Sequence, residues 1–400
     1  MNIVKQVRQF NVGRDPQRLA LKYRKLRTDA FSFMRGSCHL FWARTPMAPV
    51  LRKAPAVWTC GDLHLENFGS YKADNRQVHF DINDFDESLL APATWDPLRL
   101  LTSILVGQGG LGLSKRQAEL PEQLCGVFLD AYAAALGRGK ARWVDRDTAP
   151  SPVSDLLQLA RQRSRPDFLD SRTVRTGKRR QIRLDGIKAL PATPQQKFAV
   201  TAFMDDYAAR QDDPGFFKVL DVAQRIAGTG SLGLDRWIVL VRGKGSPDAN
   251  HLLDLKAAPA SSLAGRVPVV QPVWANEAER IVAVQRRMQA ASMAFLHPVM
   301  VGQQPCVLRG LQPSEDRVAL ATAGPDRLGN LVQVMGQCVA WAQLRSSGRN
   351  GSAVADELID FAGRSKWRGR LLELARHNAE LVQADWTSYA AAYDDGAFKP

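Results

Sequence analysis

The alternation of apolar and polar positions changes character several times along the chain. From Asp15 to about Thr28, Leu19, Leu21, Tyr23 and Leu26 form an imperfect helical stripe, and "FSFMRG" then reads as an extended segment ending at Gly36. After the apolar "PAVWT" comes a very polar loop, "CGDLHLENFG", and after a hairpin at "KADNRQ" a β-branched and aromatic strand, "VHFDINDFDE", that ends in acids. Between about 90 and 210 the pattern predicts helices, carried by "WDPLRLLTSILVGQGG", "RQAELPEQLCGVFLDAYAAAL" and "ATPQQKFAVTAFMDDYAAR". The stretch "FFKVLDVAQRIAGTGSLGLDRWIVLVRGKGSPDANHLLDLKAA" then predicts strand, glycine turn, strand, polar loop, strand. A long helix from Asn276 to about Phe295, a short strand "CVLRGL" and further helices from Leu328 complete the chain.

This order predicts an α+β protein of two lobes. Residues 1–210 and 313–400 form a helical large lobe, and residues 211–312 a small antiparallel-sheet lobe inserted between its two parts. Four hundred residues, 45% of them hydrophobic, suffice for a full core. The start "MNIVKQVRQF" carries no secretory pattern and no apolar run reaches the ~20 residues of a spanning helix, so the expectation is a cytoplasmic protein without membrane contact. Five scattered cysteines, none in a C-x-x-C pair, give neither a disulfide framework nor a zinc site.

A net charge of +14 calls for anionic partners without choosing among them. The densest basic run, Ala160 to Arg183, does not interleave the Phe and Tyr of a base-stacking surface, which disfavours nucleic acid and leaves a solvated segment or a phosphate contact.

Four stretches carry chemistry. Gly228, Gly230 and Gly233, with Ser231 among them, lie between two strands, where a backbone free of Cβ atoms can approach phosphate oxygens. The strand that follows the meander's loop places Leu253 and Leu255 on one face and Asp254 and Lys256 on the other. In the next helix Glu277 shares a face with Ile281, Val284 and Met288, and is the preferred acid to orient Lys256, with Gln285 as a substitute. Near the N-terminus, Asp62, His64 and Asn67 are followed by Asp81, Asp84 and Asp86 at the end of a strand. A general base, hard oxygen ligands for Mg²⁺ and cations for departing phosphates are what phosphoryl transfer requires.

The early segments resemble the catalytic and metal loops of aminoglycoside-phosphotransferase-like kinases, H-G-D-x-H-x-x-N followed by I-D-F or I-D-W. The resemblance implies that Asp62 is the catalytic base, that His64 braces its loop, that Asn67 and Asp84 hold Mg²⁺, that "NDFDE" stands where those kinases have their second metal carboxylate, and that Asp96 is structural. Asp86 is a further candidate metal ligand, and the match leaves the roles of Asp81 and Asp86 open. It likewise implies ATP beneath Gly228, Gly230, Ser231 and Gly233, with Lys256 on its phosphates and Glu277 beside the lysine. Cys60 stands where those kinases have their first histidine. The order is also rearranged, since the catalytic loop precedes the glycine loop, which implies a circularly permuted protein-kinase-like fold. Over nearly its whole length, through "FSFMRG", "VWTCGDLHLENFG", "FDINDFDE", "RIAGTGSLGLDRWIVLV", "LDLKAA" and "RRMQAAS", the chain is similar to the bacterial domain-of-unknown-function 2252 family.

The expected activity is therefore an ATP- and Mg²⁺-dependent phosphotransferase acting on an unidentified hydroxyl of a small molecule or protein. The alternatives are a non-catalytic nucleotide binder or a nucleotidyl transferase. A metallophosphoesterase is disfavoured, because "GDLH" lacks the upstream D-x-H and downstream G-N-H such enzymes need. Arg35 and Gly36, which stand in the "FRG" motif of the domain-of-unknown-function 2252 family, have no assigned role beyond anion binding.

Overall fold

The computed structural model describes residues 2–113 and 117–398. Arg116, where the second helical pattern of the large lobe begins, lies outside them. The N-terminal part runs α1 (Ile3–Phe10), α2 (Pro16–Arg27), α3 (Ala30–Gly36), α4 (Cys38–Arg44), α5 (Pro49–Arg52), β1 (Ala56–Thr59), β2 (Phe68–Lys72), β3 (Val78–Ile82), β4 (Leu89–Pro92), α6 (Trp95–Val106) and α7 (Leu120–Gly137). The middle contains α8 (Val153–Gln162), α9 (Arg165–Asp170), β5 (Thr173–Thr176), β6 (Arg179–Ile182), β7 (Ala189–Pro191), α10 (Pro194–Ala208), β8 (Val219–Arg225), β9 (Arg236–Val241), β10 (His251–Ala257), α11 (Glu277–Met288), β11 (His297–Val301) and β12 (Gln304–Leu311). Three helices close the chain, α12 (Pro325–Arg345), α13 (Ala355–Gly363) and α14 (Lys366–Asp394).

The protein is α+β, with small antiparallel sheets. Strands β7 to β12 make one six-stranded sheet in the order β11-β12-β10-β9-β8-β7, while β1 pairs with β4, β2 with β3 and β5 with β6. The largest apolar core joins the early helices to α12, α13 and α14, with Leu98, Phe128, Leu331 and Val339 fully buried. A second core lies on one face of the large sheet, where Leu253 and Leu255 meet Val239, Met204 and Phe217. The alternation along β10 thus sends Leu253 and Leu255 into this core and Leu252, Asp254 and Lys256 to the opposite face.

Four local expectations change. "FSFMRG" is not extended: Asp29 caps a helix by accepting a hydrogen bond from Ser32 N at 2.6 Å, and Ala30, Phe33 and Met34, at i, i+3 and i+4, bury one face. The helix expected from Asn276 to Phe295 stops at Met288. Beyond it, Gln289 donates to Ile82 O at 2.8 Å, Ala290 N donates to Asp81 and Ala291 O accepts from Tyr71, so β3 and its neighbours capture groups that would have continued the helix. The freed chain forms β11, a strand the pattern does not predict, which turns at Gly302 (φ +59°) into β12.

The mostly helical block also contains a hairpin and a strand. The basic run is ordered as the end of α8, α9, and β5 and β6, with Arg180 buried and paired to Asp170 at 2.6 Å and to Asp248 at 3.0 Å. β7 extends the large sheet and α10, held at its start by a Thr193–Gln196 capping box, packs on β8, so both accompany the sheet rather than the helices.

The chain leaves the sheet through β12 and runs along β2. Gln312 accepts from Lys72 N at 2.6 Å and donates to Lys72 O at 2.8 Å, and Ser70 N donates to Asp316 O at 2.9 Å. These bonds tie the sheet to the loops described next.

Candidate functional site

The loop after β1 is fixed from below by α6. Asp96, in the first turn of that helix, accepts from Cys60 N at 2.9 Å and Gly61 N at 3.0 Å. Burial lifts the Asp96 carboxyl to about 6, against the two amide bonds that lower it. Gly61 has φ +80°, and a Cβ there would stand 2.2 Å from Glu87 O, so this turn admits only glycine. His64 caps the short turn that follows: its Nδ1 accepts from Glu66 N at 3.2 Å, which leaves the proton on Nε2. Desolvation, then Arg35 and Arg99, push its pKa well below the usual imidazole range, so the ring is neutral. Asn67 donates to Asp62 O at 3.2 Å and to Asp84 O at 3.4 Å, joining the two acidic loops through one amide.

Asp62 has a partner that the sequence reading did not identify. Arg99 on α6, with no exposed side-chain surface, directs Nε to Asp62 Oδ1 at 2.6 Å and places Nη2 against the same oxygen. Arg99 Nη2 also donates to Met34 O, and the guanidinium lies 4.6 Å from the centre of the Phe41 ring. Oδ2 of Asp62 makes no hydrogen bond to another described residue. Desolvation raises the Asp62 carboxyl, and Arg99 only partly opposes it. An arginine inside the apolar run "WDPLRLLTSIL" was the available signal.

The four acids at the end of β3 and just after it have separate tasks. Asp81 is buried, paired with Arg345 at the end of α12 at 3.0 Å and bonded to Ala290 N at 2.9 Å, so it ties β3 to α12 and to the chain after α11. Asp84 is more than half exposed. Desolvation would raise its pKa, but Lys256 and then Arg236 outweigh it and leave the carboxyl below its ordinary value. Asp86 forms an ion pair with Lys256 Nζ, which stands 3.9 Å from Asp84. Glu87 accepts from Ser262 N at 2.6 Å and from Ser261 Oγ at 3.0 Å, and desolvation followed by the charge of Asp62 raises it to about 7.

Lys256 is therefore oriented by Asp86 and not by an acid of α11. Glu277 instead holds Arg280 Nε at 2.5 Å, and Arg280 donates to Asp86 O at 2.9 Å. Gln285 is buried against Gln289 at 3.2 Å. The helix thus supports the acidic loop through its arginine, and the expected Glu277 contact to the lysine is absent among the described residues. Beside Lys256, Asp254 is fully buried among Arg225, Arg236 (2.6 Å) and Arg309 (3.2 Å), which hold its carboxyl well below the ordinary range despite desolvation.

The glycine loop connects β8 to β9, and its carbonyls face the N-terminal segment. Arg14 donates to Gly230 O at 2.7 Å and Leu232 O at 3.0 Å, Lys22 to Gly230 O at 2.9 Å, and Arg18 to Leu234 O at 2.6 Å. Lys22 is completely buried, bonded to Asn11 at 2.9 Å and 5.6 Å from the Phe10 ring centre. Desolvation, reinforced by Arg14, puts its pKa well below the usual lysine value. Gly228 has φ +70° and Ser231 Oγ reaches back to Ala227 O at 3.4 Å. Gly233 (φ +88°) packs on Arg14, where a Cβ would meet the arginine's own Cβ at 2.9 Å. Nothing in the pattern of Arg14, Arg18 and Lys22 marks them as loop supports, because their partners are backbone atoms more than 200 positions away.

Asp62, His64, Asn67, Asp84, Asp86, Gly228, Gly230 and Ser231 line one cavity of about 270 Å³, together with Arg35 and Glu87. Gly233, Lys256 and Glu277 are not among its lining residues. Arg35 is tied to Glu66 at 2.6 Å, and its Nε, like Thr229 Oγ1, is buried without a hydrogen-bond partner. Gly36 allows the close approach of α2 and the glycine loop, since a Cβ would stand 2.2 Å from Leu26 Cδ2 and 3.1 Å from Thr229 Cγ2. Among the described residues no group of three or more His, Cys, Asp or Glu side chains is gathered as a metal-binding set. Asp84 and Asn67 nevertheless both line this cavity and carry side-chain oxygens, the Asp84 carboxylate more than half exposed, which fits Mg²⁺ as an ion that takes few protein ligands and keeps waters. No helix among the described residues is long and apolar enough to cross a membrane.

No curated protein and no solved structure matches the chain. One family model does, over residues 14–392, from the arginine that holds the glycine loop to the last helix. By that match the chain belongs to the family described as an uncharacterized protein conserved in bacteria, DUF2252.

Proposed function

We propose that the protein is an ATP- and Mg²⁺-dependent phosphotransferase with a circularly permuted kinase-like arrangement, acting on a hydroxyl of a small molecule or protein. The observation that carries this reading is the shared cavity. Asp62, Asn67 and Asp84, from residues 60–87, line the same space as Gly228 to Ser231, more than 140 positions later. The order glycine loop, lysine strand, helix and returning strands within the sheet lobe supports it further.

In this reading each side chain has a definite task. Asp62 accepts the acceptor's proton on Oδ2 while Arg99 fixes the carboxylate through Oδ1, and its raised pKa brings it nearer the operating pH of a general base. His64 and Asp96 keep the loop in place from either side. Asn67 and Asp84 hold the metal, which when bound supplies charge neutralisation at the phosphates. Lys256, released in part from Asp86, neutralises the nucleotide side, and the glycine loop excludes water above it.

Incubation with Mg²⁺ and ATP, followed by nucleotide chromatography and intact mass spectrometry, tests the proposal. Formation of ADP that disappears in Asp62→Asn and Asp84→Asn supports it. A gain of a nucleotide instead of a phosphate assigns nucleotidyl transfer, and unchanged ATP with no binding overturns it.

A further inference from the structure

The most spacious cavity described in the molecule is not the one above. It encloses about 900 Å³ on the other side of β2 and β3, between the distal end of their hairpin, the exit of β12 and residues 143–165. Six cationic side chains line it against three carboxylates. Two of the six are engaged: Arg146 holds Asp147 and Arg163 holds Asp316. The side chains of Lys72, Arg76 and Arg165 form no ion pair or hydrogen bond with any described residue, although Arg165 is partly buried and desolvation lowers its pKa with no carboxylate to oppose it. Trp143 adds a large aromatic surface at the wall, 61% exposed. Asp145 is engaged within its own turn, where Oδ1 accepts from Asp147 N at 2.9 Å and Thr148 N at 3.2 Å.

We propose that this cavity is a second binding site, independent of the reaction proposed above, for a small multivalent anion such as a polyphosphate or polycarboxylate metabolite. Unpaired cations converging on a concavity, one of them partly desolvated, lower the energy of a ligand that carries several negative charges. The volume lies in the range of small-molecule sites. Trp143 favours a ligand with a flat or apolar part beside its anionic groups. Lys72 is the residue whose backbone the β12 exit grips through Gln312, so a ligand here touches both the sheet and the hairpin whose root carries Asn67 and Asp84.

Calorimetry with inorganic tripolyphosphate and with citrate, each without Mg²⁺ and at physiological salt, tests the site in the full-length protein. Expected is saturable binding of at least one probe that weakens tenfold or more in Lys72→Ala/Arg165→Ala and is unchanged in Lys256→Ala. Preference for tripolyphosphate identifies a phosphate ligand, and preference for citrate a carboxylate one. Absence of saturable binding by both probes, or binding lost in Lys256→Ala but retained in Lys72→Ala/Arg165→Ala, overturns the proposal. The side chains of Lys72 and Arg165 make no hydrogen bond or ion pair with another described residue, so the double variant keeps the backbone bonds of Lys72 to Gln312, and an unchanged melting temperature is the control.

Discussion

Lys256 on β10 and Asp86 after β3 form an ion pair across 170 positions of sequence, joining the sheet to the acidic loop. A lysine placed there has one carboxylate within contact and a second, Asp84, at 3.9 Å. Among the described residues it is the side chain of the sheet that pairs with the acids of residues 84–86, so its loss has two readable effects.

Lys256→Ala is expected to weaken Mg–ATP binding at least tenfold, the value of one charge-assisted contact. It leaves Asp86 without its cation, so the melting temperature falls as well. Calorimetry with Mg–ATP and a thermal melt check the two effects separately.

Asp84→Asn removes the exposed carboxylate of the proposed metal pair and leaves Asp86 with Lys256. Thermal stabilisation by Mg–ATP should vanish, while the unliganded melting temperature changes little, because Asp84 makes no close bond that burial depends on. A ligand-induced shift equal to wild type would move the metal site to other residues.

Asp62→Asn and Arg99→Ala should differ in kind. Asp62→Asn is expected to reduce turnover by about 10²-fold or more with nucleotide affinity retained, since a general base acts in the transition state. Arg99→Ala leaves Asp62 and Met34 O without their buried donor and should cost about 3 kcal/mol of stability, seen as a lower denaturant midpoint.

The raised carboxyl of Glu87 gives a sign to the pH dependence of folding. Its folded pKa, about 7, exceeds the unfolded value of 4.5, so the native state binds the extra proton between those limits. The contribution of Glu87 to stability is therefore greatest below pH 4.5 and is lost as pH rises through about 7. Denaturant melts of Glu87→Gln should show a shallower decline over this window than wild type, because glutamine cannot ionise.

Gly61→Ala tests the tight turn beneath the candidate base. With φ +80° and a new Cβ directed at Glu87 O, the variant should lose about 2 kcal/mol or more and displace Asp62. Reduced stability measured by urea titration, together with reduced turnover, is the expected outcome.

What the sequence could reveal depended on how local the cause was. The face of β10 that carries Asp254 and Lys256, the hairpin returning to Asp84 and the glycine turn between β8 and β9 all follow from period-two alternation and turn residues, and these elements are present. "FSFMRG" misled because Phe31 and Phe33 alternate like a strand while the deciding interaction is the Asp29 cap just before them. The partner of Lys256 was sought on the neighbouring helix, but Arg280 three residues on claims Glu277 first. Arg99 was visible as a charge in an apolar helix, though its target was not. The end of α11 is set by Asp81 and Ile82, some 200 positions earlier, which no local pattern contains.

The grip of Arg14, Arg18 and Lys22 on the carbonyls of the glycine loop has a thermodynamic consequence. A glycine-rich segment that is free in solution must be immobilised by its ligand, and each residue so ordered subtracts about 1 kcal/mol or more from affinity. Here three cations bond the carbonyls of Gly230, Leu232 and Leu234 in the folded chain, so most of that ordering occurs during folding instead of during association. With the carbonyl side occupied from within, a guest in the cavity meets a preorganised turn, and its residence time is set by its own contacts more than by the stiffness of the loop.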